Sequence, residues 1–220
     1  MRCVRVWFNK TGTIRYISHL DLMRTMTRAI RRSGIPLWYT EGFNPHPYMT
    51  FALPLSLGMQ SLCESMDIRI EGEITNDEIL DALRSAMPEG IAITAVAEPQ
   101  IDPKYIAFAE FDVDFFGVPD VSALQTATET LLSGEHLLVQ KLGKKGHKKV
   151  FKEIDLLEYL QSYSTALSDG VLRLHLVLPA GSTTNVNPAL LCDEIMKYAG
   201  GGYYVITRKQ LLTKDMEPFA

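Results

Sequence analysis

Apolar and polar side chains alternate over the first residues of the chain. Val4, Val6 and Phe8 share one face of an extended segment, which predicts a half-buried strand. Further along, the apolar spacing changes to that of a helix. Ser18 is a favourable N-cap with an acidic residue three positions later, and Gly34 follows the last apolar position. The pattern therefore predicts an amphipathic helix that begins after Ser18 and runs to about residue 32.

The rest of the first half continues the alternation of strands and helices. It predicts extended segments at residues 14–17, 48–57, 61–70 and 91–96, and a second helix that opens at residues 75–78. The order of strand, helix, strand, strand, helix and strand is that of the ferredoxin-like βαββαβ fold. Residues 98–103 have the composition of a linker. We therefore expect a first ferredoxin-like domain over residues 1–98.

The second half repeats this order without repeating the residues. It predicts strands at residues 107–116, 171–178 and 203–207, helices at 121–132 and 188–198, and a hairpin formed by 137–142 and 150–154. Residues 155–168 stay unplaced, with an inserted helix as one interpretation. The predicted class is α+β: tandem ferredoxin-like (βαββαβ) folds with antiparallel sheets and helices on one face, the second domain covering residues 104–220.

Composition narrows the function classes. The chain has 220 residues and a net charge of −4, so binding to nucleic acid requires a local cationic patch. No apolar run approaches the roughly 20 residues that span a bilayer, and the charged N-terminus does not resemble an export signal. Three widely spaced cysteines do not form the pattern of a disulfide framework, a zinc site or an iron–sulfur cluster. We expect a cytoplasmic protein without membrane contact, and no metal site.

The first candidate for binding is the polar face of the predicted first helix. Arg24, Arg28, Arg31 and Arg32 lie there, with Asp21 as the sole acidic residue of the helix. Guanidinium groups bind phosphate oxygens well, so this face is predicted to contact RNA or another phosphate-bearing ligand. An acidic protein partner and a simple solvated surface are the alternatives.

The second candidate is the lysine-rich tip of the predicted hairpin. Residues 141–152 hold six lysines, among them Lys144, Lys145, Lys148 and Lys149, with glycines between them. Such a tip fits a phosphate backbone. It equally fits a soluble turn whose charges prevent aggregation of strand edges.

The third candidate combines two histidines with two carboxylates. His19, Glu41, His46 and Glu64 are weak candidates for acid–base catalysis or for a shared site, provided that they converge. Glu41 and His46 belong to an unusual loop that also contains Gly42, Phe43, Asn44 and Pro45. The alternative is structural, with both histidines satisfying backbone groups and holding the loop.

Several of these segments together resemble a known family. R-Y-I-S-H-L-D-L at residues 15–22, T-E-G-F-N-P-H-P at 40–47 and F-A-L-P-L at 51–55 are similar to the motifs of the radical-SAM-linked proteins of unknown function. The resemblance implies a radical-SAM protein as partner. It also implies that the iron–sulfur cluster and S-adenosylmethionine are held by that partner, with no cofactor in this chain.

The combined expectation is an accessory protein that is not an enzyme on its own. It would bind RNA or a ribosome-related substrate through the two cationic patches and act with the radical-SAM partner. One alternative is an RNA-processing nuclease that uses a histidine, by analogy of fold with the CRISPR repeat-associated RNA-binding proteins. Another is a pure protein-docking module.

Overall fold

The chain divides into two compact units in a computed structural model that describes residues 1–145 and 148–219, without the side chains of residues 141–150. The first unit comprises Met1–Ile106 and Arg208–Ala220, and the second comprises Ala107–Thr207. The division lies close to the expected linker. The expected second domain, 104–220, differs at its end, because the last residues of the chain return to the first unit.

The first unit has the predicted order of strands and helices. Its elements are β1 (Arg2–Lys10), α1 (His19–Ser33), β2 (Met49–Phe51), β3 (Gln60–Ile70), α2 (Asn76–Ala86) and β4 (Ile91–Ala97). The strand order is β4-β1-β3, with β2 also paired to β3, and these pairs are antiparallel. Val4, Val6 and Phe8 are fully buried in the core beside both helices, as the alternation predicts.

Local capping sets the bounds of both helices. The Ser18 hydroxyl accepts a hydrogen bond from the backbone N–H of Asp21, and Gly34 ends α1 in the left-handed conformation. Thr75 and Glu78 form a reciprocal capping box at the start of α2. The hydrogen bonds from Ser18 and Arg24 hold the pKa of Asp21 below its usual range.

Two predicted strands of the first unit are different in the structure. The segment 14–17, expected to be extended, mostly belongs to the 3-10 helix Gly12–Tyr16, because the chain turns directly after β1. The expected strand 48–57 is limited to Met49–Phe51. Pro54 lacks a backbone N–H and cannot continue the ladder, and the chain turns back at Gly58.

The second unit also combines a sheet with helices. Its elements are β5 (Ile106–Phe116), α3 (Val121–Leu132), β6 (Leu138–Lys145), β7 (Lys148–Asp155), β8 (Ser162–Ser168), β9 (Val171–Pro179), α4 (Ala189–Met196) and β10 (Tyr203–Thr213). Its strand order is β10-β5-β9-β8, whereas β6 and β7 form a separate two-stranded hairpin. The last residues of β10 belong to the first unit.

Residues 155–168 do not form a helix. They contain the 3-10 turn Leu157–Tyr159 and strand β8, which pairs antiparallel with β9. Most side chains of β8 are exposed, so its sequence carries little of the apolar alternation that would have indicated a strand.

The described part of the chain is therefore a mixed α+β structure with mostly antiparallel strands and four α-helices. None of these helices has the length and apolar character that crossing a membrane requires.

The turn before β4 depends on a glycine. Gly90 has φ +88° and its carbonyl accepts a hydrogen bond from Thr11 N–H at 2.9 Å, while a Cβ at position 90 would lie 2.8 Å from the Thr11 oxygen. We expect Gly90→Ala to lower the free energy of unfolding by at least about 2 kcal/mol, measured by chemical denaturation.

The matched control is Gly72→Ala. Gly72 also has a positive φ, 72°, but a Cβ there meets nothing within 4 Å. In this variant only the strain of a positive φ should act, so the free energy of unfolding should fall by about 1 kcal/mol. Equal losses in the two variants would contradict the role of close packing at Gly90.

Candidate functional site

The arginine face of α1, defined as Arg24, Arg28, Arg31 and Arg32, is exposed to solvent. Arg24 forms an ion pair with Asp21 at 3.2 Å, and Arg32 donates to the Ala86 carbonyl at 2.9 Å. Arg28 has no hydrogen-bond or ion-pair partner among the residues that the structure describes. One carboxylate therefore partly balances four guanidinium groups, and the face keeps the cationic character predicted for it.

The motif loop, defined as residues 38–48, is closed by its own hydrogen bonds. Tyr48 N–H donates to the Trp38 carbonyl at 3.2 Å, and Thr40 N–H donates to the His46 carbonyl at 2.9 Å. The Nδ1 atom of His46 lies 3.1 Å from both the Thr40 hydroxyl and the Asn44 carbonyl. His46 thus holds the loop together, which agrees with the structural alternative for this histidine.

The tip of the motif loop presents an aromatic ring to solvent. Phe43 is fully exposed, whereas most large apolar side chains of the first unit are packed in its core. Gly42 precedes it with φ +125°, a conformation that favours glycine. Glu41 is exposed on the same loop. The Phe43 ring is therefore accessible to another molecule.

Arginine–aromatic contacts attach the motif loop at two places. The Arg31 guanidinium lies 5.7 Å from the centre of the Tyr39 ring, which joins the loop to the arginine face. Arg69 on β3 lies 5.1 Å from the Trp38 ring centre and 4.1 Å from that of Tyr48. The loop is therefore held against α1 through Tyr39 and against the sheet through Trp38 and Tyr48.

Glu64 is buried in a separate charged cluster. It forms an ion pair with Arg208, which also donates to the Leu53 carbonyl at 2.9 Å. Lys10 lies in the same cluster and donates to the Arg15 carbonyl at 3.4 Å. Lys10, Glu64 and Arg208 are each at most 3 % exposed. Burial lowers the pKa of Lys10, while the nearby Glu64 carboxylate opposes that change.

The sequence leaves open whether the four acid–base candidates converge, and in the described part of the chain three of them have separate contacts. His19 packs edge-on against Phe51 with ring centres 5.1 Å apart, His46 belongs to the motif loop, and Glu64 lies in the buried charged cluster. Among the side chains that the structure describes, no group of three histidine, cysteine or acidic residues is arranged to hold a metal ion.

The cysteines differ in accessibility. Cys3 is exposed, Cys63 is half-buried and Cys192 is buried. Burial raises the pKa of the Cys63 thiol to about 11 and also raises that of Cys192. Both thiols are therefore protonated at neutral pH and are poor nucleophiles.

The lysine-rich hairpin is present as strands β6 and β7, as predicted. The side chains of Lys144, Lys145, Lys148 and Lys149 lie outside the described residues. Their proposed contact with phosphate stays a prediction.

A comparison with family models places the chain among known proteins. The model described as "Uncharacterized protein conserved in bacteria (DUF2344)" matches residues 3–188. The chain belongs to this family. The match covers the arginine face, the motif loop and Glu64, while Arg208 lies beyond it. The link to radical-SAM proteins stays a prediction, because the family description does not mention it.

Comparison with solved structures concerns the fold of this family member. A chain from "Crystal Structure of a Cbf5-Nop10-Gar1 Complex" is similar with a TM-score of 0.51 at 8 % identity, over 94 % of this chain and 48 % of that one. The chain thus spans about half the length of that structural relative. "Crystal Structure of an Unknown Protein from Galdieria sulphuraria" aligns over 94 % of this chain and 98 % of that one, with 14 % identity and a TM-score of 0.26. A search of curated proteins found no match.

Three charged residues of these sites were not among the sequence-predicted candidates. Lys10 continues the buried phase of Val4, Val6 and Phe8, which is an unusual place for a lysine and could have indicated the buried cluster. Arg69 and Arg208 carry no such local signal. Their partners come from Trp38 and Tyr48 in one case and from Glu64 in the other.

The buried cluster should depend strongly on its single carboxylate. Glu64→Gln removes the negative charge between two buried cations, so we expect the free energy of unfolding to fall by about 3–5 kcal/mol in a denaturant titration. Glu41→Gln makes the same chemical change at an exposed position and should alter stability by less than about 0.5 kcal/mol. Similar small effects of both substitutions would mean that Glu64 does not balance the cluster.

Proposed function

We propose that this protein binds single-stranded RNA through the arginine face of α1 and the motif loop. The contact between Arg31 and Tyr39 carries the proposal, because it joins a cationic helix face to a loop with an exposed aromatic tip. Single-stranded nucleic acid is bound by this combination, in which cations track the phosphates and bases stack on aromatic rings.

The charge distribution supports this proposal. The chain as a whole carries −4, so its overall charge repels RNA. Arg28 is exposed and has no partner within the described ranges, and Arg31 is held beside Tyr39. A phosphate bound there would gain charge-assisted hydrogen bonds without first breaking an ion pair of Arg28.

The proposed role is that of an accessory protein with a radical-SAM partner that holds the iron–sulfur cluster and S-adenosylmethionine. This part rests on the resemblance of residues 15–22, 40–47 and 51–55 to the radical-SAM-linked family. We further propose that both units are variants of the ferredoxin-like fold. Their strand orders, β4-β1-β3-β2 and β10-β5-β9-β8, support this, with the hairpin of β6 and β7 as an insertion in the second unit.

The arginine face is tested by the salt dependence of RNA binding. We expect Arg28→Gln/Arg31→Gln to weaken binding of a labelled oligouridine and to reduce the slope of log affinity against log salt by about 1.4, the value for two lost phosphate contacts. Filter binding at several salt concentrations measures both quantities.

The control for this experiment neutralises two exposed cations of the second unit, Arg173 and Lys197. Arg173→Gln/Lys197→Gln should keep the wild-type slope. An equal change in both double variants would show binding by general charge and contradict the site. The docking alternative would be favoured if a partner protein still co-purified after nuclease treatment and the chain had no measurable affinity for RNA.

The aromatic tip has a different expected signature. Phe43→Ala should weaken oligouridine binding about tenfold without changing the salt slope, because stacking involves no release of counterions. Tyr105→Ala removes another exposed ring and should leave the affinity unchanged. Unchanged affinity of Phe43→Ala would remove the loop from the interface. If the wild type cleaves the RNA and His46→Ala does not, the nuclease alternative would instead be favoured.

A further inference from the structure

A cleft of about 500 Å³ lies in the first unit beside the motif loop. Its walls include Cys3 on β1, Tyr48 and Thr50 around β2, and residues 99–103 after β4. Cys3 and Arg5 alternate with the buried core residues of β1, so the cleft lies on the face of the sheet that α1 and α2 do not cover. Its volume is typical of sites for small ligands.

The charged groups lining this cleft are mostly paired. Asp67 accepts hydrogen bonds from Arg5 at 2.7 and 3.0 Å, and Asp102 forms an ion pair with Lys104 at 3.0 Å. Arg69 lies next to them, directly opposite Cys3 in the pairing of β1 with β3. Its guanidinium has no hydrogen-bond or ion-pair partner in the part of the chain whose side chains the structure describes. Arg69 is not itself a wall of the cleft, but it contacts Tyr48, which is, so its guanidinium lies beside the cleft.

The two aromatic rings prepare Arg69 for an anion. Trp38 and Tyr48 contact its guanidinium, and their ring centres lie 6.1 Å apart. These contacts restrict the side chain, and its N–H groups have no acceptor among the described residues. A guanidinium in this state loses little further entropy when it binds, and its fork of donors matches two oxygens of a phosphate.

We propose that Arg69 binds the phosphate of a nucleotide whose remainder occupies the cleft. The Tyr48 ring provides an aromatic wall, and the Thr50 hydroxyl and Gln100 amide provide polar groups for the sugar or the base. A free nucleotide and the 5′-end of an RNA share this chemistry. If the ligand is the 5′-end of an RNA, this inference rests on the proposed function. If it is a free nucleotide, it does not, because binding of a free nucleotide does not require the arginine face.

Calorimetric titration of the full chain with AMP and with adenosine tests the site. We expect AMP to bind at least about tenfold more tightly than adenosine, because only AMP provides charge-assisted hydrogen bonds to Arg69. Arg69→Gln should lose this preference. Equal affinity of the wild type for AMP and adenosine, or an unchanged preference in Arg69→Gln, would overturn the proposal.

Two further variants separate binding from folding. Arg69→Lys keeps a cation against the rings but lacks the fork, so it should fold with a wild-type melting temperature and still bind AMP at least about threefold more weakly. Arg173→Gln removes an exposed guanidinium from the second unit and should bind AMP like the wild type. Full AMP affinity in Arg69→Lys would contradict bidentate recognition.

Oligouridines with a 5′-phosphate and with a 5′-hydroxyl distinguish the two sources. A preference for the phosphorylated oligomer that disappears in Arg69→Gln identifies an RNA end as the ligand. AMP binding without such a preference identifies a free nucleotide. Failure of the arginine face would appear separately, as a wild-type salt slope in Arg28→Gln/Arg31→Gln with AMP binding intact.

Discussion

The ion pair between Glu64 and Arg208 is the interaction on which the arrangement of the first unit depends. Its two residues are 144 positions apart, and it fastens the returning end of the chain to strand β3. Arg208 also contacts the Leu53 carbonyl, and Lys10 reaches the Arg15 carbonyl. The turns that follow β1 and β2 are thus supported from inside by the same cluster. Buried charges require such partners, because isolated ones lose their hydration without compensation.

The motif loop depends on a second kind of interaction. Its hydrogen bonds define its shape, but its position is set by Arg31 and Arg69, which contact aromatic rings from two different elements. Consecutive residues, Tyr39 and Trp38, face these two arginines. Phe43 at the tip of this loop is fully exposed, while the residues near the two ends of the loop are held by these cation–π contacts and by the hydrogen bonds of the loop.

The histidines illustrate why residue type alone did not identify the chemistry. His46 has the polar neighbours of a loop-stabilising side chain, and His19 packs against Phe51. Both positions were compatible with acid–base catalysis from the sequence, since a histidine between prolines or at a helix start has no fixed partner there. His46 is engaged within its loop, whereas Arg28 and Arg69 have no hydrogen-bond or ion-pair partner among the described residues, which is why the proposals above rest on arginines.

The sequence alone determined the local structure: the bounds of α1 and α2, the buried face of β1, the hairpin of β6 and β7, and the exposed arginine face. Each follows from spacing and capping within about twenty neighbouring residues. Strand β8 escaped prediction because exposed strands lack apolar alternation. Only the tertiary structure decided that Glu64 meets Arg208 and that Trp38 and Tyr48 surround Arg69. Contacts between distant segments depend on how whole elements pack, and no pattern within one element encodes them.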